Sequence, residues 1–189
     1  VEVAPLDIEG SGVLPPVGAR IRRRFWWLER LAPSLGSRWA VELWCTPPVL
    51  ESSLRMPPGV PPGKPTEAFW DGHRVAGEEW GEGPPIYLVH GWGGQRAHLA
   101  VFVKPLVEAG YRVIAFDLPS HNESEPGALA PGRTTAIECA DAIAAMIDTH
   151  GPAHAVVAHS LGANSTALAA AQGTPVGRLV FLAPIDRKS

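Results

Sequence analysis

The chain has 189 residues, enough for one domain with a sizeable core, and its 46% hydrophobic against 19% charged side chains exclude a disordered tail. Sixteen basic and nineteen acidic residues leave a net charge of −3, which excludes a chain-wide attraction for nucleic acid or anionic lipid. Cys45 and Cys139 stand in unrelated contexts with no CxxC and no paired histidine, so no zinc site, other cofactor or disulfide framework is expected.

The opening stretch VEVAPLDIEGSG lacks a basic and an apolar region, so it does not read as a secretory signal. No run reaches the roughly 18 apolar residues of a membrane span. A soluble, cytoplasmic protein in a reducing setting is the expectation.

Residues 1–18 read as an irregular lead-in and 19–46 as a helical N-terminal extension. In ARIRRRFWWLERLAP, Ile21, Phe25, Leu28 and Leu31 fall at helical spacing until Pro33 stops the run; Leu35, Trp39 and Leu43 mark a second helix. Arg20, Arg22, Arg23 and Arg24 flank Phe25, Trp26 and Trp27, a pattern that suits membrane-surface contact through Arg20–Trp27. Glu29 interrupts the basic face, and packing against the following domain or a partner is the other reading. The tryptophans between 26 and 44 favour burial of some kind.

Residues 47–65 hold seven prolines and read as a linker or wrapping arm. The domain proper takes 66–189. It opens with a hairpin whose Asp71-Gly72 suits a type I′ turn. Short apolar runs then alternate with helical segments: PIYLVH (85–90), a helix near 97–109 that Pro105 should break, RVIAFD (112–117), a helix near 134–150, HAVVAH (154–159), a helix over 161–172 and RLVFLA (178–183). Thr135 and Glu138 fit a capping box for the middle helix, and Gly151-Pro152 ends it. The alternation predicts an α/β fold: a mostly parallel sheet with helices on both faces, preceded by hairpin strands and the helical extension.

In such a sheet, reactive groups gather at the carboxyl ends of the strands. Three peptides stand there: HGWGG, FDLPSHNES and AHSLGA. In the last, Ser160 lies between strand and helix, flanked two residues away on each side by Ala158 and Gly162, small enough for a sharp turn. The helix from Leu161 would aim free N–H groups at the site, although a serine here also suits a plain N-cap. A glycine-rich loop after a strand could cradle phosphate, but neither G-x-G-x-x-G nor G-x-x-x-x-G-K-[ST] is present.

The three peptides, in this order, resemble the α/β-hydrolase superfamily, in its serine esterase and lipase-like branch, over residues 66–183. The resemblance implies Ser160 as nucleophile and the main-chain N–H groups of Trp92 and Leu161 as oxyanion donors. It implies structural roles for His90 at the strand end and His121 in the next loop. The match departs at Ala158, where glycine is usual, and at Ser120 and Asn122, which replace two glycines of the loop. Serine at the nucleophile position argues against the haloalkane dehalogenase and epoxide hydrolase branches, which place aspartate there.

The superfamily order is Ser, then acid, then His, yet all seven histidines precede Ser160. Asp186 is a candidate acid, since some relatives carry it just past this strand; the alternative is that PIDRKS begins a lid. The chain pattern stops after the sixth strand, leaving an apolar edge of the kind that recruits other chains. The expectation is an N-terminal part of a serine hydrolase, inactive by itself.

The expected activity is hydrolysis of a carboxylic ester or related acyl bond of a small-molecule substrate, through an acyl-enzyme on Ser160. Thioesterase, acyltransferase, C–C hydrolase and cofactor-free peroxidase chemistry use the same serine. A catalytically silent binding module is the reading from a different class. No nucleic-acid partner is expected.

Overall fold

The structure, a computed structural model, describes residues 18–48 and 56–183. The chain divides into two compact units, one running to Trp44 and one starting at Cys45.

The first unit is a helical hairpin, α1 (Ala19–Leu31) and α2 (Pro33–Trp44). Ile21, Phe25 and Leu28 form the half-buried face of α1, and Phe25 stacks on Trp39 with ring centroids 4.4 Å apart. Pro33 ends α1 as expected and also opens α2, because the first helical position needs no N–H. Trp39 is half-buried, but Trp26, Trp27 and Trp44 stand 47, 52 and 84% exposed, since one partner helix can cover only one stripe of each.

The second unit opens with the hairpin β1 (Lys64–Trp70) and β2 (His73–Trp80). Asp71 and Gly72 both take positive φ, 47° and 81°, which is the type I′ geometry their sequence suggested. There follow β3 (Pro85–Val89), a 3₁₀ turn (Arg96–Phe102) leading into α3 (Val103–Glu108), β4 (Arg112–Phe116), α4 (Ala136–His150), β5 (Ala155–His159), α5 (Leu161–Ala171) and β6 (Leu179–Leu182). The break near Pro105 falls before it: α3 starts at Val103, so the proline sits in the first turn, where a missing N–H costs nothing. The Thr135–Glu138 box forms as expected, with Glu138 N–H donating to Thr135 Oγ1 at 3.2 Å and Thr135 N–H to Glu138 Oε2 at 2.9 Å.

The six strands lie in the order β1-β2-β4-β3-β5-β6. The hairpin pairs antiparallel, to itself and to β4, while β4, β3, β5 and β6 are mutually parallel. Alternation along the strands builds two cores. Tyr87, Val89, Ile114, Phe116, Val156 and Ala158 pack with α4 and α5 residues on one face. Ile86, Leu88, Val113, Ala115, Ala155 and Val157 pack with the 3₁₀ turn and α3 on the other. Each large apolar side chain so buried contributes about 1.5–3 kcal/mol. The consequence is a rigid sheet whose parallel strands all end at one rim, where β3, β4 and β5 deliver their loops. Leu179, Val180 and Phe181 of β6 are 41, 46 and 39% exposed in the described sheet.

Candidate active site

Strand β5 ends at His159, and the chain passes from strand to helix across one residue, Ser160, with φ 50° and ψ −119°. An L-residue held there stores about 1–3 kcal/mol of strain. Packing explains how the strain is enforced. A β-carbon on Gly162 would stand 2.3 Å from the His90 carbonyl oxygen and 2.8 Å from that of Val89, so α5 approaches the end of β3 as closely as backbone allows. Ala158, two residues before the bend, is fully buried. Ser160 N–H donates to Leu182 O at 3.0 Å, and Ser160 O accepts from Ala163 N–H at 3.0 Å. The Ser160 side chain makes no capping bond to α5, so the hydroxyl is not spent as an N-cap.

The loop after β3 lies against this bend. A β-carbon on Gly91 would fall 3.0 Å from Ser160 Cβ and 2.9 Å from His159 Nδ1. Gly93 has φ 65°, and Gly94 N–H closes a turn onto Gly91 O at 2.9 Å. The main-chain N–H groups of Trp92 and Leu161 donate to no described residue. Gly91 therefore brings the Trp92 loop onto Ser160, whose other neighbour is Leu161.

Two buried histidines stitch this loop to the one after β4. Leu118 N–H donates to His90 Nε2 at 3.0 Å, while His90 Nδ1 lies 2.8 Å from Gly91 O and donates to it. Gly93 N–H donates to His121 Nε2 at 3.0 Å, while His121 Nδ1 donates to Pro119 O at 2.9 Å. Both rings are thereby held as neutral imidazoles. Burial, reinforced by the neighbouring His121, pushes the His90 pKa down to about 3, and burial likewise lowers that of His121. Trp92 packs edge-on to His121 with ring centroids 5.6 Å apart.

A buried ionic node ties the same loops together. Arg96 donates its main-chain N–H to Asp117 Oδ1 at 2.7 Å and pairs its Nη1 with Asp117 Oδ2. Its Nη2 reaches Glu78 at 3.1 Å and Glu123 at 2.8 Å. Asn122 Nδ2 adds a bond to Asp117 Oδ2 at 2.9 Å. Arg96 was not a candidate from the sequence; the available signal was a lone arginine two residues past the glycine loop of a strand end. Ser120 and Asn122 adopt φ 61° and 43°, so the loop keeps the conformation that glycine would favour. Ser120 Oγ donates to Arg133 O at 2.6 Å, a bond glycine could not make, which offsets part of the cost.

Beside the bend, Gly91, Trp92, Gly93, Gly94, His98, Leu99 and His159 line a cleft of about 270 Å³. His159 is exposed, with its Nδ1 2.9 Å from where a β-carbon on Gly91 would stand, and neither it nor His98 was a candidate from the sequence. His98 Nδ1 accepts Gln95 N–H at 3.0 Å, and burial lowers its pKa. Asp186 lies outside the described residues. Among the described residues no cluster of three or more metal-ligating side chains occurs, and no helix is long and apolar enough to cross a membrane.

The comparisons with known proteins agree with this layout. A non-heme chloroperoxidase of Kitasatospora aureofaciens is 38% identical over 56 residues, 30% of this chain and 20% of that one. The epoxide hydrolase VrEH1 of Vigna radiata superposes with a TM-score of 0.56 at 23% identity, covering 66% of this chain and 42% of the other. An esterase of Exiguobacterium antarcticum gives a TM-score of 0.56 at 22% identity, covering 63% and 45%. The chain thus spans less than half the length of each of these proteins. A model of the alpha/beta hydrolase family matches residues 86–189, from β3 through the Gly91 loop and the Ser160 bend onward. With its sheet order, bend and loops arranged as described, the chain belongs to the alpha/beta hydrolase family.

Proposed function

We propose that this chain carries the nucleophilic half of a serine hydrolase acting on carboxylic esters or related acyl bonds. One observation carries the reading: Ser160 is held at φ 50° in a strand-to-helix bend, its hydroxyl left out of helix capping and Gly91 packed against it. In the reaction, Ser160 Oγ bonds to the acyl carbon and its proton passes to a base. The carbonyl oxygen gains negative charge, which the N–H groups of Trp92 and Leu161 stabilise. Collapse expels the protonated alcohol and leaves an acyl-enzyme, which water cleaves to the acid and free serine. No imidazole or carboxylate among the described residues hydrogen-bonds Ser160 Oγ, so the proposal assigns the nucleophile and the two donors. The buried, unpaired Cys45 and Cys139 support a reducing, cytoplasmic setting.

The chloroperoxidase relative favours a second use of the same serine: attack of hydrogen peroxide on the acyl-enzyme, giving a peracid in place of the acid. A fluorophosphonate probe applied to the protein expressed from its complete reading frame tests the first claim. Labelling that disappears in Ser160→Ala supports it; absence of labelling in the folded protein overturns it and favours a silent binding module. Peracid formation on adding hydrogen peroxide, measured beside ester hydrolysis, separates the two uses of the acyl-enzyme.

A further inference from the structure

The greatest concentration of unused charge lies in α1, which carries Arg20, Arg22, Arg23, Arg24 and Arg30 against the single Glu29, in a chain whose net charge is −3. All of these side chains are exposed. Their placement is ordered. Arg23, Trp26, Trp27 and Arg30 recur at the i, i+3, i+4, i+7 spacing of one helical face, opposite the Ile21, Phe25 and Leu28 stripe turned to α2. The two indoles meet edge-on at 4.7 Å, and the Arg30 guanidinium lies 3.9 Å above the Trp26 ring. Within the described hairpin no carboxylate forms an ion pair with Arg20, Arg22, Arg23 or Arg24.

Basic and aromatic side chains interleaved in this way suit phosphate-rich surfaces, either of a membrane or of a nucleic acid. Aliphatic exposure decides between them. Leu31 is 75%, Leu35 56% and Val41 59% exposed on the same hairpin. Phosphates and stacked bases bury few such side chains, whereas the boundary between lipid headgroups and acyl chains takes aliphatic side chains and indoles together. The 13-residue helix, about 20 Å long, is too short to span and long enough to lie in that boundary. We propose that the outer face of α1 docks this protein on an anionic lipid surface, with Trp26 and Trp27 at the acyl boundary and the arginines among the headgroup phosphates.

Co-sedimentation with vesicles tests the docking, using phosphatidylcholine alone and phosphatidylcholine mixed with phosphatidylglycerol. The protein is expected to pellet with the mixed vesicles at low salt, to blue-shift its tryptophan emission, and to be released at high salt. Replacing Arg20, Arg23 and Arg24 by Gln lowers the partition coefficient about a hundredfold, about fivefold per arginine. Trp26→Ala with Trp27→Ala weakens binding while leaving its salt dependence. All five side chains are exposed, so the far-ultraviolet dichroism of the variants matches the parent. If a variant loses helical signal, the salt titration of the unsubstituted protein decides by itself. Equal partition onto neutral vesicles, no partition onto either, or tighter binding to an oligonucleotide than to the mixed vesicles overturns the proposal. Fluorophosphonate labelling is independent of all these outcomes.

Discussion

Gly91 is packed so tightly on Ser160 that an added β-carbon would come within 3.0 Å of Ser160 Cβ. Gly91→Ala therefore has to push either the serine or the loop carrying Trp92 by several tenths of an ångström. We expect ester hydrolysis by the protein from the complete reading frame to fall on the order of a hundredfold, with a stability loss of about 1–3 kcal/mol. Equal rates for parent and variant would show that the loop and the serine do not act together.

The strain at Ser160 gives a second prediction. Ser160→Gly removes the cost of positive φ, so thermal denaturation should show a gain of about 1 kcal/mol while fluorophosphonate labelling is lost. A loss of stability in that variant would mean that the bend is unstrained.

At Gly162 the obstruction is backbone, the His90 carbonyl at 2.3 Å and that of Val89 at 2.8 Å, and neither can rotate aside. Gly162→Ala is expected to cost about 3 kcal/mol or to prevent folding, read as the urea midpoint or as soluble yield.

The ionic node predicts an asymmetry. Arg96→Met strands the fully buried Asp117 carboxylate without its guanidinium and should cost about 3 kcal/mol by chemical denaturation. Arg96→Lys restores the charge but not the fork that reaches Asp117, Glu78 and Glu123, so it should recover less than half of the loss.

Acid sensitivity follows from the histidine stitches. His90 is neutral when folded, with burial holding its pKa at about 3, whereas the unfolded chain takes up the proton near the ordinary value of about 6.5. Stability is therefore complete above that value and falls below it by about 1.4 kcal/mol per pH unit, down to about pH 3. His121, also lowered by burial, acts in the same direction. Between about pH 7 and pH 5 the His90 share amounts to about 2 kcal/mol, measured as the difference in urea stability that His90→Gln removes. An identical slope in parent and variant would rule the histidine out.

Much of the fold could be read from residue order. Continuous apolar runs such as IYLV and HAVVA can be buried on both faces only in a covered parallel sheet, and Asp71-Gly72 and Thr135–Glu138 determine their own backbones through φ preference and reciprocal capping. The bend was legible because Ala158, Ser160 and Gly162 satisfy a steric condition local to five residues. Arg96 was not, since its value depends on three carboxylates, Glu78 of β2 and Asp117 and Glu123 of the loop after β4, that meet it only after the sheet forms. At Ser120 the replaced glycine marked a position suited to positive φ, but the bond to the distant Arg133 carbonyl that makes serine tolerable there was hidden. The exposed tryptophans show the limit of composition: aromatic content reports that apolar surface exists, not which side of a two-helix unit it occupies.

Ser160 N–H is anchored to Leu182 O, and Leu182 closes β6, the border strand of the described sheet. The bend is therefore coupled to the register of β5 on β6, in which His159 faces Leu182: a slip of that pairing would carry away the main-chain anchor that holds position 160 at its positive φ.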